Sequence, residues 1–248
     1  MKLSDHMSRS GVSLFRWRSY LPLVFVPFLL YAAFRGEQVE AVIGETFGDA
    51  FEIASIGLVI LGQGLRIWTV GRVPRGTSGR NVHGQLAETL NTTGIYSVVR
   101  NPLYLANCLM YLGVALFSQN LFVAAIVALV LLPYYERIIA AEEAFLSEKF
   151  GSIYDDWAER TPAFVPKLTG WVPSALTFCW RTVIRREHSS IYGAVVVLYL
   201  MELGLSKLGA WSEPMDPGWN WTLAVVTVLE IAAFLIKTRT RLLSVPER

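Results

Sequence analysis

The stretch YSVVRNPLYLANCLMYLGVAL, residues Tyr96 to Leu116, decides the fold. Its second half is apolar enough to lie in a membrane, yet an arginine, an amide and a proline stand just before it as Arg100, Asn101 and Pro102. Proline suits the first turn of a helix, and the residue before a proline is pushed away from helical geometry. The sequence therefore predicts a membrane helix that begins at Pro102 with polar groups at its N-terminus.

The whole chain has the composition of a membrane protein. Of its 248 residues, 53% are hydrophobic and only 17% are charged, whereas soluble domains carry about 25% charged residues. The two cysteines, Cys108 and Cys179, are far apart and suggest neither a disulfide framework nor a zinc site. We expect an integral membrane protein with no metal ion and no nucleic-acid partner; its oligomeric state is left open.

Six stretches approach the roughly 20 apolar residues that a membrane helix needs. The predicted fold is all-α, a polytopic transmembrane helical bundle of about six spans. Only Ser118-Gln119-Asn120 separates the third span from the fourth, so these two form a tight helical hairpin packed inside protein, or two tilted short spans. The predicted spans are Ser19–Phe34, Phe51–Val70, Leu103–Phe117, Leu121–Tyr135, Ile191–Leu208 and Trp219–Ile236.

The spans divide the chain into three parts. Residues 1–50 hold an N-terminal segment and the first span, and we interpret Met1–Ser13 as a cytoplasmic tail. Residues 51–170 form a membrane core with a polar loop and a polar helix. Residues 171–248 hold a basic surface helix, Trp180–His188, and the two last spans.

Charge predicts the orientation in the membrane. Lysine and arginine concentrate in the cytoplasmic flanks of membrane proteins. With the N-terminus inside and six spans, only Arg35 and Lys207 of the 22 basic residues fall in outer loops, and Arg66 lies near the inner end of the second span. Both termini and both large polar loops, 71–99 and 136–190, are therefore predicted to be cytoplasmic.

The first large loop combines glycine with arginine. Glycines let backbone amides approach an anion, and arginine offers a bidentate fork to carboxylate or phosphate. Arg72, Arg75 and Arg80 are therefore candidates for binding an anionic substrate headgroup, although a solvated basic loop explains them equally. Arg100, near a helix N-terminus, is placed to attract an anion or simply to anchor its helix at the headgroups.

An amphipathic helix is predicted to leave the membrane after the hairpin. Its apolar positions recur at helical spacing, with a break near Gly151 and an end at Thr161-Pro162. Glu142 and Glu143 follow one turn after the apolar run, close to the headgroup plane. They form either part of a polar site or one solvated helical face.

Two features inside the predicted spans require partners or close packing. Carboxylates at the centre of a membrane helix usually face the protein interior, so Glu202 and Glu230 are predicted to be held by one helix pair. The Gly62-Gln63-Gly64 segment is interpreted as a site of close helix packing.

Taken together, these segments resemble the isoprenylcysteine carboxyl methyltransferase and phospholipid methyltransferase superfamily. Its members show Gly-x-Tyr-x-x-x-Arg-His-Pro-x-Tyr, a short hairpin, a Glu-Glu pair, Phe-Gly-x-x-Tyr and a proline-rich end. The resemblance covers roughly Phe51 to Lys167. The matching positions are Gly94, Tyr96, Arg100, Pro102, Tyr104, Glu142, Glu143, Phe150, Gly151, Tyr154 and Pro166.

The resemblance implies a cytoplasmic pocket for S-adenosyl-L-methionine and a lipid or lipid-linked substrate that enters from the membrane. Arg100 would pair with the carboxylate of the cofactor, and Glu142 or Glu143 would accept hydrogen bonds from its amino group or ribose. Tyrosines would face the adenine or the sulfonium. The implied cofactor site comprises Gly94, Tyr96, Arg100, Asn101, Pro102, Tyr104, Glu142, Glu143 and Tyr154, with Arg100, Asn101 and Glu143 as catalytic residues.

One position departs from the superfamily pattern, because Asn101 stands where the histidine is usual. Asparagine forms hydrogen bonds but cannot accept a proton as a base. An acceptor that is already anionic needs no base, which favours O-methylation of a carboxylate or phosphate. The alternatives are N-methylation of an aminophospholipid, a sterol-type NADPH-dependent membrane reductase and a non-catalytic lipid-binding scaffold; His83 is a further candidate for a base.

Overall fold

Among the residues that the structure describes, every regular element is helical. The structure is a computed structural model that describes residues 3–74, 87–167, 169–209 and 214–245. The prediction of an all-α fold is confirmed. Within these ranges the helices are α1 (Leu3–Trp17), α2 (Leu21–Arg35), α3 (Gln38–Ile43), α4 (Glu45–Val70), α5 (Pro102–Phe117), α6 (Leu121–Phe150), α7 (Ser152–Arg160), α8 (Trp180–Leu208) and α9 (Pro217–Arg239), with 3-10 turns at Arg18–Tyr20 and Gly94–Ser97.

Four of these helices, α4, α6, α8 and α9, are each long and apolar enough to cross a membrane. A fifth crossing is counted if the bent pair Met7–Tyr20 and Leu23–Ile43, which meet at 55°, forms one span. The chain is therefore a multi-pass membrane protein. Each predicted span coincides with a helix, but α2 has only 15 residues and α5 only 16. A 16-residue helix is about 24 Å long, shorter than a hydrocarbon core of about 30 Å.

Helices α4 and α5 pack closely because glycine removes the side chain at two points of their contact. A Cβ atom built on Gly62 would lie 2.6 Å from the backbone oxygen of Ala106, and one built on Gly113 would lie 2.8 Å from that of Ser55. Close helix packing through Gly62 was predicted correctly. The same prediction is wrong for Gly64, where a Cβ atom would meet nothing within 4 Å.

The turn between α5 and α6 is buried, as expected for a hairpin packed inside protein. Ser118, Gln119 and Asn120 are at most 1% exposed. Gln119 has a positive φ of 52°, and its side-chain oxygen accepts a hydrogen bond from the Glu40 backbone N–H at 2.9 Å. The Asn120 side chain caps α6 by accepting from the Val123 N–H at 3.1 Å. These bonds satisfy polar backbone that would otherwise be costly to bury.

The N-terminal segment is helical, which the sequence did not predict. Helix α1, Leu3–Trp17, includes most of the predicted cytoplasmic tail Met1–Ser13, and the cytoplasmic location of this segment stays a prediction. This helix packs along α6, where Gly11 lies directly against the backbone of Arg137. The Tyr134 hydroxyl also donates to the Leu14 carbonyl at 3.2 Å. Sequence reasoning missed the contact because α1 is only weakly apolar and its partner is more than a hundred residues away.

Two long helices continue beyond the predicted spans. Helix α6 runs without interruption from the hairpin to Phe150, and Gly151, with φ of 56°, separates it from α7 as predicted. The predicted surface helix Trp180–His188 is not a separate element. It forms the first part of α8, which continues to Leu208. Val183 in this part is 3% exposed and packs inside the protein, whereas Trp180 and Ile184 are 65% and 40% exposed.

The two intramembrane carboxylates lie on the packed helix pair α8 and α9, but at different depths. Glu230 of α9 meets His188 of α8, with Oε2 and Nδ1 2.8 Å apart. The Lys237 ammonium lies 3.2 Å from the other ring nitrogen of His188. Glu202 stands 14 residues further along α8, about 21 Å at helical rise. One helix pair therefore carries both groups, and only Glu230 has this histidine as its partner.

Candidate active site

The polar entrance to α5 is built by backbone hydrogen bonds between distant segments. Gly94 opens the 3-10 turn with φ of 62°, and its N–H donates to the Val172 carbonyl at 2.8 Å. The Arg100 N–H donates to the Pro162 carbonyl at 2.9 Å. Asn101 has a non-helical backbone, and Pro102 begins α5, as the sequence predicts. The loop before α5 is thus joined to the segment after α7.

Arg100 lies between α5, α6 and α7. Its Nη2 forms an ion pair with Glu143 Oε1 at 2.8 Å, and the two side chains are 16% and 27% exposed. Its Nη1 donates to the Ala158 carbonyl at 2.9 Å. The Arg100 Nε atom is buried and has no hydrogen-bond partner among the described residues. Arg100 therefore keeps one unused donor beside an acidic partner.

Asn101 closes the same site from the N-cap of α5. Its amide nitrogen donates to the Ala163 carbonyl at 3.0 Å, and its side chain lies near the Glu143 carboxylate. Asn101 therefore fixes the segment that follows α7 and borders Glu143. An amide can form such hydrogen bonds without accepting a proton.

Glu142 faces a neighbouring group of aromatic residues. The Tyr104 hydroxyl donates to Glu142 Oε1 at 2.8 Å, and the Tyr104 and Tyr135 rings are 5.1 Å apart. Arg18, in the turn between α1 and α2, is close enough to attract the Glu142 carboxylate. Sequence reasoning assigned Arg18 only to the basic inner flank, because no local pattern predicts that α1 packs on α6.

Tyr154 and Tyr96 line the site from α7 and from the loop. Tyr154 is 4% exposed, and its hydroxyl has no hydrogen-bond partner within the described part of the chain. Its electrostatic neighbours include Glu143 and Arg100. Burial raises the pKa of Tyr154 and of Tyr96 well above the usual tyrosine range. Both phenols therefore keep their protons near neutral pH and act as hydrogen-bond donors.

Arg72 is the only one of the three predicted headgroup arginines that the described residues include. Its guanidinium carbon lies 3.8 Å from the centre of the Trp68 ring and 4.9 Å from that of Phe178. Its Nη1 is buried without a hydrogen-bond partner among the described residues. It borders a cavity of about 10 Å³ that Tyr96 also lines, which is room for about one water molecule. Arg75, Arg80 and His83 lie outside the described residues.

The arrangement brings both signs of charge and several hydrogen-bond donors close together. An arginine with a free donor, two carboxylates and two protonated phenols suit a ligand that itself carries opposite charges. Within the described residues, no group of three or more His, Cys, Asp or Glu side chains is placed to hold a metal ion. The roles of the individual residues stay predictions.

Fold and site together define a multi-pass helical membrane protein with a charged polar site at the entrance to a buried hairpin. Residues 51–153 match the phospholipid methyltransferase family. The resemblance noted in the sequence is thereby confirmed, and the match contains α5, the hairpin and both glutamates of the site. No solved structure matches the chain.

Characterised relatives come from bacteria and eukaryotes. The chain is 36% identical to the nickel-cobalt-cadmium resistance protein NccN of Alcaligenes xylosoxydans, over 46% of this chain and 53% of that protein. It is 37% identical to the cobalt-zinc-cadmium resistance protein CzcN of Cupriavidus metallidurans, over 45% and 50%. It is 29% identical to the protein-S-isoprenylcysteine O-methyltransferase of Schizosaccharomyces pombe, over 48% and 50%. The matched segment therefore spans about half the length of these relatives.

Proposed function

We propose that this protein is an S-adenosylmethionine-dependent membrane methyltransferase that acts on a lipid or lipid-linked acceptor. The family match over residues 51–153 supports the class of reaction. The observation that carries the proposal for this chain is the Arg100–Glu143 ion pair, which lies near Tyr154 at the N-terminal end of α5. The Arg100 Nε atom of this pair is a buried donor without a partner among the described residues.

The residues of the site fit this cofactor. S-adenosylmethionine has an amino acid end with a carboxylate and an ammonium, and a paired arginine and glutamate offer the complementary charges. The buried Arg100 Nε and Tyr154 hydroxyl are donors without partners among the described residues, and unused buried donors are rare in native proteins. When bound, the cofactor supplies an electrophilic methyl group on a positively charged sulfur. Arg100, Glu143 and Tyr154 would hold it, with Asn101 beside Glu143.

The acceptor is proposed to be anionic, a carboxylate or a phosphate, and to be methylated on oxygen. Asn101 cannot remove a proton, and an anionic oxygen needs none removed. The protein then acts by aligning the acceptor and excluding water, and alignment alone can contribute about 7–11 kcal/mol to lowering a barrier. The name of the fission yeast relative states O-methylation of an isoprenylcysteine, which agrees with an anionic, lipid-linked acceptor.

The headgroup of the acceptor is proposed to meet Arg72. Its buried Nη1 lacks a partner among the described residues, and Tyr96 borders the same small cavity. The Tyr96 carbonyl accepts a hydrogen bond from Trp157 of α7 at 3.1 Å, so this tyrosine lies between the Arg72 cavity and the helix that carries Tyr154. Arg75 and Arg80 remain proposed contributors from the sequence. The distribution of basic residues further supports a cytoplasmic site and cytoplasmic termini.

Calorimetry on the detergent-purified protein tests the proposal, with S-adenosylhomocysteine and NADPH as the two probes. We expect S-adenosylhomocysteine to bind and the Arg100→Ala and Glu143→Ala variants to lose most of that binding. Matched controls are Arg160→Ala and Glu148→Ala, since both side chains are exposed on α7 and α6. The controls should bind as the unaltered protein does.

The other outcomes separate the alternatives. Binding of NADPH instead would replace the methyl-transfer proposal with the reductase. Binding of S-adenosylhomocysteine without transfer of labelled methyl groups to any membrane lipid extract would favour a non-catalytic scaffold. Where label is transferred, alkaline release of methanol identifies a methyl ester, whereas label that resists alkali on an amine identifies N-methylation and contradicts the anionic acceptor.

A further inference from the structure

A second set of charged residues lies behind the candidate site, between α4, α5 and α8. Arg66 of α4 forms a two-pronged ion pair with Glu187 of α8, with Nε–Oε2 and Nη2–Oε1 distances of 2.7 and 3.0 Å. The side chains are 14% and 2% exposed. Ser190 and Gln63 extend the set, because Ser190 donates to Gln63 Oε1 at 3.1 Å and Gln63 donates to Glu187 at 3.4 Å.

The remaining guanidinium nitrogen of Arg66, Nη1, contacts α5, the helix at whose N-terminus the candidate site lies. This nitrogen donates to Asn107 Oδ1 on α5 at 2.6 Å. The Asn107 side chain lies close to Tyr135 on α6, and the Tyr135 ring packs 5.1 Å from that of Tyr104. Tyr104 then donates to Glu142. A continuous series of contacts therefore runs from Glu187 to the Glu142 carboxylate of the candidate site.

The spacing along α5 couples these contacts to the orientation of the helix. Asn107 follows Tyr104 by three residues, so both lie on one face. Fixing Asn107 against Arg66 thus fixes the direction in which Tyr104 points. A buried ion pair alone is weak support for stability, since apolar residues of similar volume often replace such pairs without loss. Burying Arg66 and Glu187 costs desolvation free energy, and the position that Arg66 gives to Asn107 is a better explanation for this pair than stability.

We propose that Arg66, oriented by Glu187 and acting through Asn107, is a positioning residue for Tyr104 and Glu142. The inference rests on the proposed function, because it assigns these two residues to the cofactor site. It also gives α8, which lies outside the matched segment 51–153, a part in that site. Arg66 and Glu187 themselves touch neither Tyr104 nor Glu142 in the hydrogen bonds and ion pairs of the described residues.

Two variants distinguish whether Arg66 positions Tyr104 and Glu142 or only holds α4, α5 and α8 together. Asn107→Leu leaves the Arg66–Glu187 pair in place and removes both the hydrogen bond from Arg66 Nη1 and the contact of this side chain with Tyr135. The double variant Arg66→Met/Glu187→Met replaces the pair with apolar side chains and should keep the fold. Ile60→Ala is the control, because this α4 side chain is 65% exposed and belongs to neither group. S-adenosylhomocysteine affinity and the thermal unfolding midpoint are measured for each.

We expect both Asn107→Leu and the double variant to bind S-adenosylhomocysteine about tenfold more weakly, the effect of losing one well-made hydrogen bond. The double variant should keep an unfolding midpoint near that of the Ile60→Ala control, whereas Asn107→Leu should unfold at a somewhat lower temperature because Arg66 Nη1 loses its acceptor. If the original protein binds the probe and Asn107→Leu binds it equally well, Arg66 only attaches helices and the inference is overturned. If the original protein does not bind the probe, the proposed function itself has failed.

Discussion

At the scale of single residues, the site contains both satisfied and unsatisfied polar atoms. Tyr104 already donates to Glu142 at 2.8 Å. The Tyr154 hydroxyl, by contrast, is buried without a partner among the described residues. A hydroxyl left unpaired in this way costs about 1–3 kcal/mol, and the proposed function predicts that its partner arrives with the ligand. The two tyrosines should consequently respond in opposite ways to removal of their oxygen.

Replacing Tyr154 by phenylalanine should leave the unfolding midpoint unchanged or raise it, because an unpaired buried hydroxyl disappears. The same change should weaken S-adenosylhomocysteine binding several-fold. Tyr104→Phe is the matched variant and should lower stability by about 1 kcal/mol, since Glu142 loses a donor. Thermal unfolding in detergent and calorimetry measure the two effects. Unaltered binding by Tyr154→Phe would show that its hydroxyl does not serve the ligand.

At the scale of elements, the close approach of α4 to α5 is what sets the position of the site helix. Gly62 lies where a Cβ atom would be 2.6 Å from the Ala106 backbone oxygen, whereas Gly64, two residues on, faces open space. Helix α5 is too short to be held by a full membrane crossing of its own. Its packing on α4, its hydrogen bond to Arg66 and the buried turn at Gln119 hold it instead.

The two glycines of α4 allow a matched test of this packing. Gly62→Ala should destabilise the protein by about 1–3 kcal/mol, because backbone cannot yield to the added methyl group as a flexible side chain could. Gly64→Ala adds the same methyl group in open space and should be neutral or stabilising by up to about 1 kcal/mol, as expected from helix propensity. Denaturation midpoints compare the two. Equal stability of the variants would contradict the close α4–α5 contact.

At the scale of the whole molecule, the polar site lies at one end of the helices and the hairpin turn lies at the other. Pro162 and Val172, which follow α7, accept hydrogen bonds from the loop before α5 at the site end. Helix α3 meets the hairpin turn at the opposite end, where the Val39 N–H donates to the Gln119 carbonyl at 3.2 Å. The positive-inside distribution predicts that the site end is cytoplasmic.

Labelling of single cysteines tests this orientation in whole cells. Val42 and Val165 are 84% and 76% exposed and lie at opposite ends. In a background with Cys108→Ala and Cys179→Ala, a membrane-impermeant maleimide should modify Val42→Cys in intact cells. It should modify Val165→Cys only after the membrane is opened. The reverse pattern would place the site on the outer face and contradict the predicted topology.

Much of the candidate site was recognisable in the sequence. Arg100, Asn101 and Tyr104 flank a proline that begins a helix, and Glu142 and Glu143 stand together after an apolar run, so local pattern and family resemblance both point to them. The structure brings all five together. Their mutual contacts were not predictable, because the expectation that Arg100 meets a ligand carboxylate did not include its ion pair with Glu143.

The residues that sequence reasoning missed belong to distant pairings. Arg18 was counted only among the many basic residues outside the outer loops, and Arg66 only as a residue near the inner end of the second span. Glu187 lies within a basic segment and was not singled out. One signal could have suggested the pair, because Glu187 is a single carboxylate among arginines and Arg66 is a single arginine in an apolar helix. Their partners are more than a hundred residues away, beyond the reach of any local pattern.

The sequence by itself determined the membrane class, the helices and several of their boundaries, because apolar length, Pro102, Gly151 and the polar hairpin turn act within a few residues. Only the tertiary structure decided which face of each helix is buried and which charges meet. Helix α1 is packed because α6 lies against it. Arg66 pairs with Glu187 because α4 and α8 turn these two side chains toward each other. Such pairings depend on how several helices pack against one another. Local sequence patterns allow many helix arrangements, and an arrangement that leaves a buried charge without a partner is penalised.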